Sequence, residues 1–339
     1  VPSSPTAPAA AMRLAIDAAE SVRGRTYPNP PVGAVIVDPD GSVVGIGATQ
    51  PTGGPHAEVI ALQQAGDKAR GATAFVTLEP CNHYGRTPPC TKALIDAEIS
   101  AVHFAIADPN PAAAGGSEAL ERAGIRTEQG LMADQVAQGP LRAWLFKQKH
   151  ARPHITWKYA ASLDGRSAAR DGSSQWITGP EARAHVHAER AKLDAIIVGT
   201  GTVEADNPWL TARLSDGNLA PNQPTRVVVG RTEIPASARV LDDAAPTLLV
   251  RTHDPREVVA ALADHTDVLL EGGPTLAGAF LQARLIDRIV AYIAPVVLGA
   301  GQSALGDVGV GNIGEALRFR REYIEPIGTD VMLSLVPEE

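Results

Sequence analysis

The first half of the chain switches between two hydrophobic periods. Met12, Leu14 (flanking Ala15), Ile16 and Ala19 mark an apolar face and predict a helix over Ala10–Val22, stopped near Gly24. Tyr27-Pro28-Asn29-Pro30-Pro31 breaks any helix, and the apolar run Val32–Val37 that follows reads as a strand. A turn at Asp38–Gly41 and a second strand, Val43–Ile46, complete a hairpin. Pro55 stands where a first-turn proline would, opening a helix over His56–Ala65 that stops near Gly66. Then come a strand at Ala74–Leu78, a loop rich in proline and glycine, a helix at Cys90–Glu98 and a strand at Val102–Ala107. Strands alternating with helices predict an α/β sandwich.

The same rhythm returns further on. Ala143–Pro153 reads as a hinge, because a new strand, His154–Ala160, begins just after a proline. Helices are expected at Pro180–Leu193, Pro255–Ala263 and Thr275–Leu285, and strands at Ala195–Val198, Arg226–Val229, Thr247–Val250, Val268–Leu270 and Ile289–Ile293. Glu322–Leu335 predicts a closing hairpin around Gly328. The expected organisation is a flexible tail over residues 1–10, a first domain over 11–147, a linker at 148–153 and a second domain over 154–339.

Composition narrows the function classes. Hydrophobic residues make up 44% of 339 positions but aromatic ones only 4%, so two cores must rest on Ala, Val, Leu and Ile. The longest apolar runs, Val32–Val37 and Ile289–Leu298, fall far short of the roughly 20 residues that span a bilayer. A formal net charge of −8 with no basic block argues against nucleic acid. The opening VPSSPTAPAA lacks the basic start and apolar stretch of a secretory signal. Two cysteines cannot make a disulfide framework, so a cytoplasmic protein is expected, with its cysteines as ligands.

Those cysteines sit in a telling order. His56-Ala57-Glu58 is followed by Pro80-Cys81 and then Cys90. Zinc deaminases carry His-x-Glu at one helix start and Pro-Cys…Cys at the next. One imidazole and two thiolates suit zinc and leave one position open for water. His56, Cys81 and Cys90 are therefore the candidate ligands. Glu58, in the first turn beside His56, is the candidate proton carrier. A bare His-x-Glu is usually incidental; its conjunction with the chain's only two cysteines is not.

Eight residues separate the two cysteines, where many deaminases have two. The whole stretch Glu79-Pro80-Cys81-Asn82-His83-Tyr84-Gly85-Arg86-Thr87-Pro88-Pro89-Cys90 closely resembles the signature of the bifunctional riboflavin-biosynthesis deaminase/reductases. Pro28-Asn29-Pro30, Val32-Gly33-Ala34-Val35 and Asp108-Pro109-Asn110-Pro111 match as well. The resemblance implies a cytidine-deaminase-like α/β/α sandwich. Its substrate would be 2,5-diamino-6-ribosylamino-4(3H)-pyrimidinone 5′-phosphate, deaminated at ring carbon two. It places Asn29 at the pyrimidine and Arg86 at the phosphate, a pairing that suits a guanidinium. Thr49 departs from the pattern, standing where many relatives have a substrate-contacting histidine.

The second half has no G-x-G-x-x-G after a strand, which argues against a Rossmann domain. It carries instead polar and glycine-rich stretches at strand ends, where α/β sheets place ligands. These are Lys158–Arg166, Ser174–Thr178, Gly199–Val203, Ala205–Pro208 and Glu271–Leu276. Gly272-Gly273-Pro274 before a helix makes a backbone cradle for an anion. In order, these stretches resemble the reductase half of the same family, a domain similar to dihydrofolate reductase. That implies NADPH-dependent reduction of the ribosyl group to ribityl. The resemblance assigns Ala160, Trp176, Thr202, Asp206 and the run Gly273, Pro274, Thr275, Leu276, Ala277, Gly278, Ala279 to the cofactor. It assigns Ser174, Arg190, Leu210, Arg213 and Glu271 to the substrate, with Lys158 beside the ribose. Arg190 and Arg213 suggest a phosphate clamp, and Arg231 a partner for the cofactor's 2′-phosphate. Family analogy also suggests a homodimer through the reductase domains. Against this stand a deaminase of another base with an accessory domain, and a nucleotide sensor without turnover.

Overall fold

A computed structural model describes residues 6–84 and 88–338. The chain divides between Ala151 and Arg152 into two compact units. The first contains α1 (Pro8–Glu20), β1 (Gly33–Val37), β2 (Val43–Ala48), α2 (Ala57–Ala65), β3 (Thr73–Leu78), α3 (Cys90–Asp96), β4 (Ala101–Ile106), α4 (Gly116–Arg122), β5 (Arg126–Gln129), α5 (Ala133–Gln138) and α6 (Arg142–His150). Its sheet runs β2-β1-β3-β4-β5. β1 is antiparallel to both neighbours, whereas β3, β4 and β5 are parallel.

Close helix–strand contact sets this unit's geometry. A Cβ at Gly47 would lie 2.1 Å from the Ala57 carbonyl oxygen, and one at Gly45 equally close to that of Ala61. Only glycine permits such an approach, and α2 answers with alanines 57, 61 and 65, all buried. The start of α2 is thereby pressed onto the end of β2. α1 follows the same rule against Gly33: its buried face is Ala11, Met12, Ala15 and Ala19, while Leu14 is 37% exposed. The apolar face is thus rotated from the expected one, because backbone proximity favours small side chains over large.

Other boundaries also move. α1 begins at Pro8, so residues 8–10 of the expected tail are helical, and proline's fixed φ suits a first turn. Pro55 lies outside α2, whose N-cap is His56. The expected hinge is largely α6: nothing in 142–150 breaks a helix, buried Ala143 and Trp144 anchor it, and Ala151 ends it at φ 54°.

The second unit contains β6 (His154–Ser162), α7 (Pro180–Arg190), β7 (Ala195–Gly199), α8 (Thr200–Asp206), β8 (Thr225–Val229), β9 (Thr247–Val250), α9 (Pro255–Ala261), β10 (Asp267–Leu270), α10 (Pro274–Gln282), β11 (Arg288–Ala294), β12 (Phe319–Ile327) and β13 (Asp330–Pro337). The sheet order is β12-β13-β11-β6-β10-β7-β8-β9. All neighbours from β11 to β9 are parallel, and β13 is antiparallel to β11 and β12. One face packs Trp157, Ile197 and Leu270 under Val258 of α9 and Phe280 of α10. The other packs Ile196, Val198 and Val228 against Val203 and Leu210, and Tyr292 against Ala182 and Val186 of α7. The stretches Gly199–Val203 and Ala205–Pro208, expected as polar strand ends, hold helix α8 over Thr200–Asp206. The expected strand Ile289–Ile293 is interior strand β11, paired on both sides.

Candidate active site

In the first unit the site grows from two helix starts and one strand end. His56 is the N-cap of α2 in extended conformation, and Glu58 sits in its first turn, 4% exposed. Cys81 follows β3 through Glu79 and Pro80, and Cys90 is the first residue of α3. Their ligand atoms all lie within 4.8 Å of one another. His56 Nδ1 is 3.2 Å from Cys90 Sγ and 3.5 Å from Cys81 Sγ, and the Cys90 amide donates to Cys81 Sγ at 3.4 Å.

The surroundings hold this triad in place. Buried Glu79 accepts from the Ser117 amide (2.9 Å), the Ser117 hydroxyl (3.1 Å) and the Asp108 amide (3.1 Å), tying the 108–117 loop to the strand end. A Cβ at Gly116 would meet the Pro80 carbonyl oxygen at 1.9 Å, so α4 starts directly against the Pro-Cys turn. The Thr91 hydroxyl donates to Asn82 Oδ1 at 3.0 Å. The Cys90 contact and, against burial, His56 hold the Cys81 thiol down at about 4. The Cys81 contact raises the His56 imidazolium pKa, and the Cys90 thiol, hydrogen-bonded to Cys81 and buried, is pushed up. Burial, with the Cys81 charge, pushes the Glu58 carboxyl to about 7.

One imidazole and two sulfurs converging from a buried wall fit zinc, whose charge would favour ionisation of both thiols. Asn29 is fixed by its backbone: its amide donates to the Thr26 carbonyl at 2.9 Å, and its own carbonyl accepts from the Thr26 hydroxyl at 3.1 Å. Arg86 lies outside the described residues. Thr49 is buried at the end of β2 and accepts from the Val32 amide at 3.1 Å, a bond that secures the hairpin.

In the second unit, Glu271 just past β10 receives a forked bond from Arg190 at the end of α7, Nε–Oε1 2.8 Å and Nη2–Oε2 2.7 Å. Burial opposes ionisation of Glu271, but Arg190 and Lys158 outweigh it and hold the carboxyl at about 2. Burial pulls the Lys158 ammonium below its ordinary range, against Glu271. Its Nζ lies 5.7 Å from the Tyr292 ring centroid, and the Tyr292 hydroxyl is 2.7 Å from His185 Nδ1. Lys158, Arg190 and Glu271 thus converge, joined by His185, His187 and Tyr292, which the sequence reading omitted. A signal was available, since His187 stands three residues before Arg190 on one helix face.

Other expectations change. Of the expected Arg190–Arg213 clamp, Arg190 is forked to Glu271 and Arg213 donates to the Gly217 carbonyl at 2.9 Å beside Trp209, while both charges act on His187. Leu210 turns its side chain into the core at φ 54°, leaving only its backbone for a ligand. Ala277 is fully buried and Gly278 abuts the Asp307 carbonyl, so contact to an anion falls to the main chain at the start of α10. There Gly272 and Gly273 precede Pro274, and a Cβ at Gly273 would lie 3.7 Å from Thr202 Oγ1. Thr202 and Asp206 belong to α8 after β7, and exposed Arg231 follows β8, so both stand past the ends of neighbouring strands. Ala160 packs with Tyr292 and Ala182. Ser174 is half-buried before α7, and Trp176, 69% exposed, lies under Arg183 at 4.5 Å.

Comparison with known proteins gives these two sites a family. The RibD C-terminal domain matches residues 153–333, and the cytidine and deoxycytidylate deaminase zinc-binding region matches 6–106. A riboflavin biosynthesis protein RibD from Mycobacterium tuberculosis is 60% identical over 326 residues, 96% of each chain. The chain belongs to the RibD family. The Escherichia coli RibD is 41% identical over 361 residues, covering 96% of this chain and 98% of its own. Among solved structures, a RibD from Acinetobacter baumannii superposes with a TM-score of 0.86 at 37% identity, covering 98% and 99% of the two chains. A diaminohydroxyphosphoribosylaminopyrimidine deaminase/5-amino-6-(5-phosphoribosylamino)uracil reductase from Thermotoga maritima does so at 0.88 and 31% identity, with the same coverage. RibD membership thus extends across both units. Among the described residues no helix is long and apolar enough to cross a membrane.

Proposed function

We propose that this RibD protein catalyses two steps of riboflavin synthesis. The first is hydrolytic deamination of 2,5-diamino-6-ribosylamino-4(3H)-pyrimidinone 5′-phosphate. The second is NADPH-dependent reduction of its ribosyl group to ribityl. The observation that carries the reading is the convergence of His56, Cys81 and Cys90 within 4.8 Å beside buried Glu58. Zinc held there supplies the Lewis acidity that makes water a nucleophile at neutral pH. Glu58 accepts one proton from the water and passes it to the ring nitrogen, then accepts the remaining proton of the newly added hydroxyl and passes it to the departing amine. The ring carbon gains oxygen as its bond to nitrogen breaks and ammonia leaves. Asn29 orients the pyrimidine, and Arg86 pairs with the phosphate.

In the second unit, a domain of dihydrofolate-reductase type, NADPH supplies a hydride when bound. The α10 start offers main-chain N–H groups behind Gly272 and Gly273, a cradle suited to a pyrophosphate. Thr202, Asp206, Trp176, Ala160 and Arg231 surround the cofactor. Lys158, drawn by the charge of Glu271, faces the ribose, while Arg213 and Ser174 meet the phosphate end. The protein acts in the cytoplasm as a homodimer through its reductase units. Edge strand β12, nine residues long with Ile324 half exposed, supports an association there.

Incubating the purified chain with the diaminopyrimidinone phosphate, with and without NADPH, tests the reading by product mass. The amino-to-oxo change is expected without cofactor, and the ribityl product only with NADPH. Turnover of free cytidine instead would favour a different deaminase.

A further inference from the structure

Between β6 and α7 the chain carries an indole that the core does not use. Trp176 is 69% exposed, yet the end of its segment is held at two points. The Gly179 amide donates to Asp330 Oδ2 at 2.7 Å, and that carboxylate is buried at the start of β13. Arg183 of α7 donates from Nη1 to the Thr178 carbonyl at 2.6 Å, with its Cζ 4.5 Å from the Trp176 ring centroid. One guanidinium thus ties down the backbone and backs the ring. Among the described residues no carboxylate pairs with Arg183, so an uncompensated charge stands behind the indole.

The strand order decides which part of a dinucleotide meets this ring. β6, β10, β7 and β8 are adjacent and parallel, so their C-terminal ends share one edge of the sheet. On the cofactor reading proposed above, on which this inference rests, Arg231 past β8 takes the 2′-phosphate and the start of α10 past β10 takes the pyrophosphate. A dinucleotide laid from β8 across β10 brings its nicotinamide towards β6, and the segment that follows β6 carries Trp176. The adenine lies at the far end.

We infer that Trp176 and Arg183 form a charged platform that favours reduced over oxidised nicotinamide. An indole face attracts a cation, and here Arg183 already occupies one face. The oxidised nicotinamide ring carries a positive charge, so on the other face it is repelled by the guanidinium through the indole. The reduced ring is neutral and stacks without that repulsion. Arg183 is thereby a specificity residue: it holds Trp176 in place and lowers affinity for NADP+ relative to NADPH, which eases release of the spent cofactor.

Calorimetric titration of the full chain with NADPH, NADP+ and 2′,5′-ADP is the test. NADPH and NADP+ carry the same phosphates, so the ratio of their dissociation constants isolates the nicotinamide. 2′,5′-ADP reports the adenine end and shows that the site is folded. Arg183→Gln removes the charge and keeps an amide donor for the Thr178 carbonyl. It should lower the NADP+/NADPH ratio about threefold, the size expected of a half-buried charge one ring away. Arg183→Lys keeps the charge and should keep most of the ratio, with 2′,5′-ADP affinity unchanged in both variants. An unchanged ratio in Arg183→Gln, an equal drop in Arg183→Lys, or loss of 2′,5′-ADP affinity overturns the inference and leaves the reductase reading standing. A parent chain that binds none of the three overturns that reading, and the inference with it.

Discussion

At the scale of single residues, proximity and burial separate chemistry from scaffolding. Glu58 is a carboxylate buried to 4% exposure beside two sulfurs, hydrogen-bonded to the Cys90 thiol and to its own backbone amide and facing the His56 imidazole. Glu58→Gln preserves shape and removes the proton carrier. Deamination should fall by roughly 10²–10⁴-fold, while reduction of substrate already deaminated continues unchanged. Assaying each half with its own substrate checks this, and loss of both activities in a folded variant would contradict independent sites. Glu271 poses a second test. Its folded pKa of about 2 lies below the ordinary value of about 4.3, so its ionised form stabilises the fold above that ordinary value. This contribution disappears as pH falls from about 4 towards 2. Glu271→Gln strands Arg190, 14% exposed, and should cost about 3 kcal/mol at pH 7. The gap between variant and parent in urea denaturation should narrow as the pH drops through that window.

At the scale of elements, the catalytic geometry depends on how near a helix comes to a strand. Gly47→Ala places a methyl 2.1 Å from the Ala57 carbonyl oxygen and must push the start of α2 off β2. A loss of about 1–3 kcal/mol is expected, together with reduced zinc content, since His56 caps that helix. Gly66→Ala is the control. It meets nothing within 4 Å and adds only the strain of φ +55°, so it should leave zinc content intact. The sequence made the ligand set legible because His56, Cys81 and Cys90 sit in short linear motifs with punctuated surroundings. Proline starts and β-branched strands likewise made most of the second unit legible to within a residue or two. The face of α1 was hidden, because packing against Gly33 rewards alanine over leucine. α8 was hidden too, because Gly199-Thr200-Gly201-Thr202 has poor intrinsic helix propensity and is helical through its tertiary setting. The Arg190–Glu271 fork joins residues 81 apart, a distance no local pattern spans.

At the scale of the whole molecule, the two sites belong to separate compact units, and their stabilities should separate as well. All three candidate zinc ligands and Glu79, the carboxylate that ties the 108–117 loop to them, lie before Ala151. Binding zinc to folded but not unfolded chain stabilises only the unit that contains the ligands. The second unit is organised instead by features such as Arg226. That side chain is wholly buried, with Nη1 2.7 Å from Asp242 Oδ1 and further bonds to the carbonyls of Asp242 and Ala245. Removing zinc with a chelator should therefore lower one of two calorimetric transitions and leave the other in place. Arg226→Met should do the reverse, since it leaves those acceptors unmatched and lowers only the second transition, by about 3 kcal/mol. A single transition that moves with either perturbation would show the units to be energetically coupled. Unfolding would then abolish deamination and reduction together, although a substitution such as Glu58→Gln would still remove one alone in the folded chain.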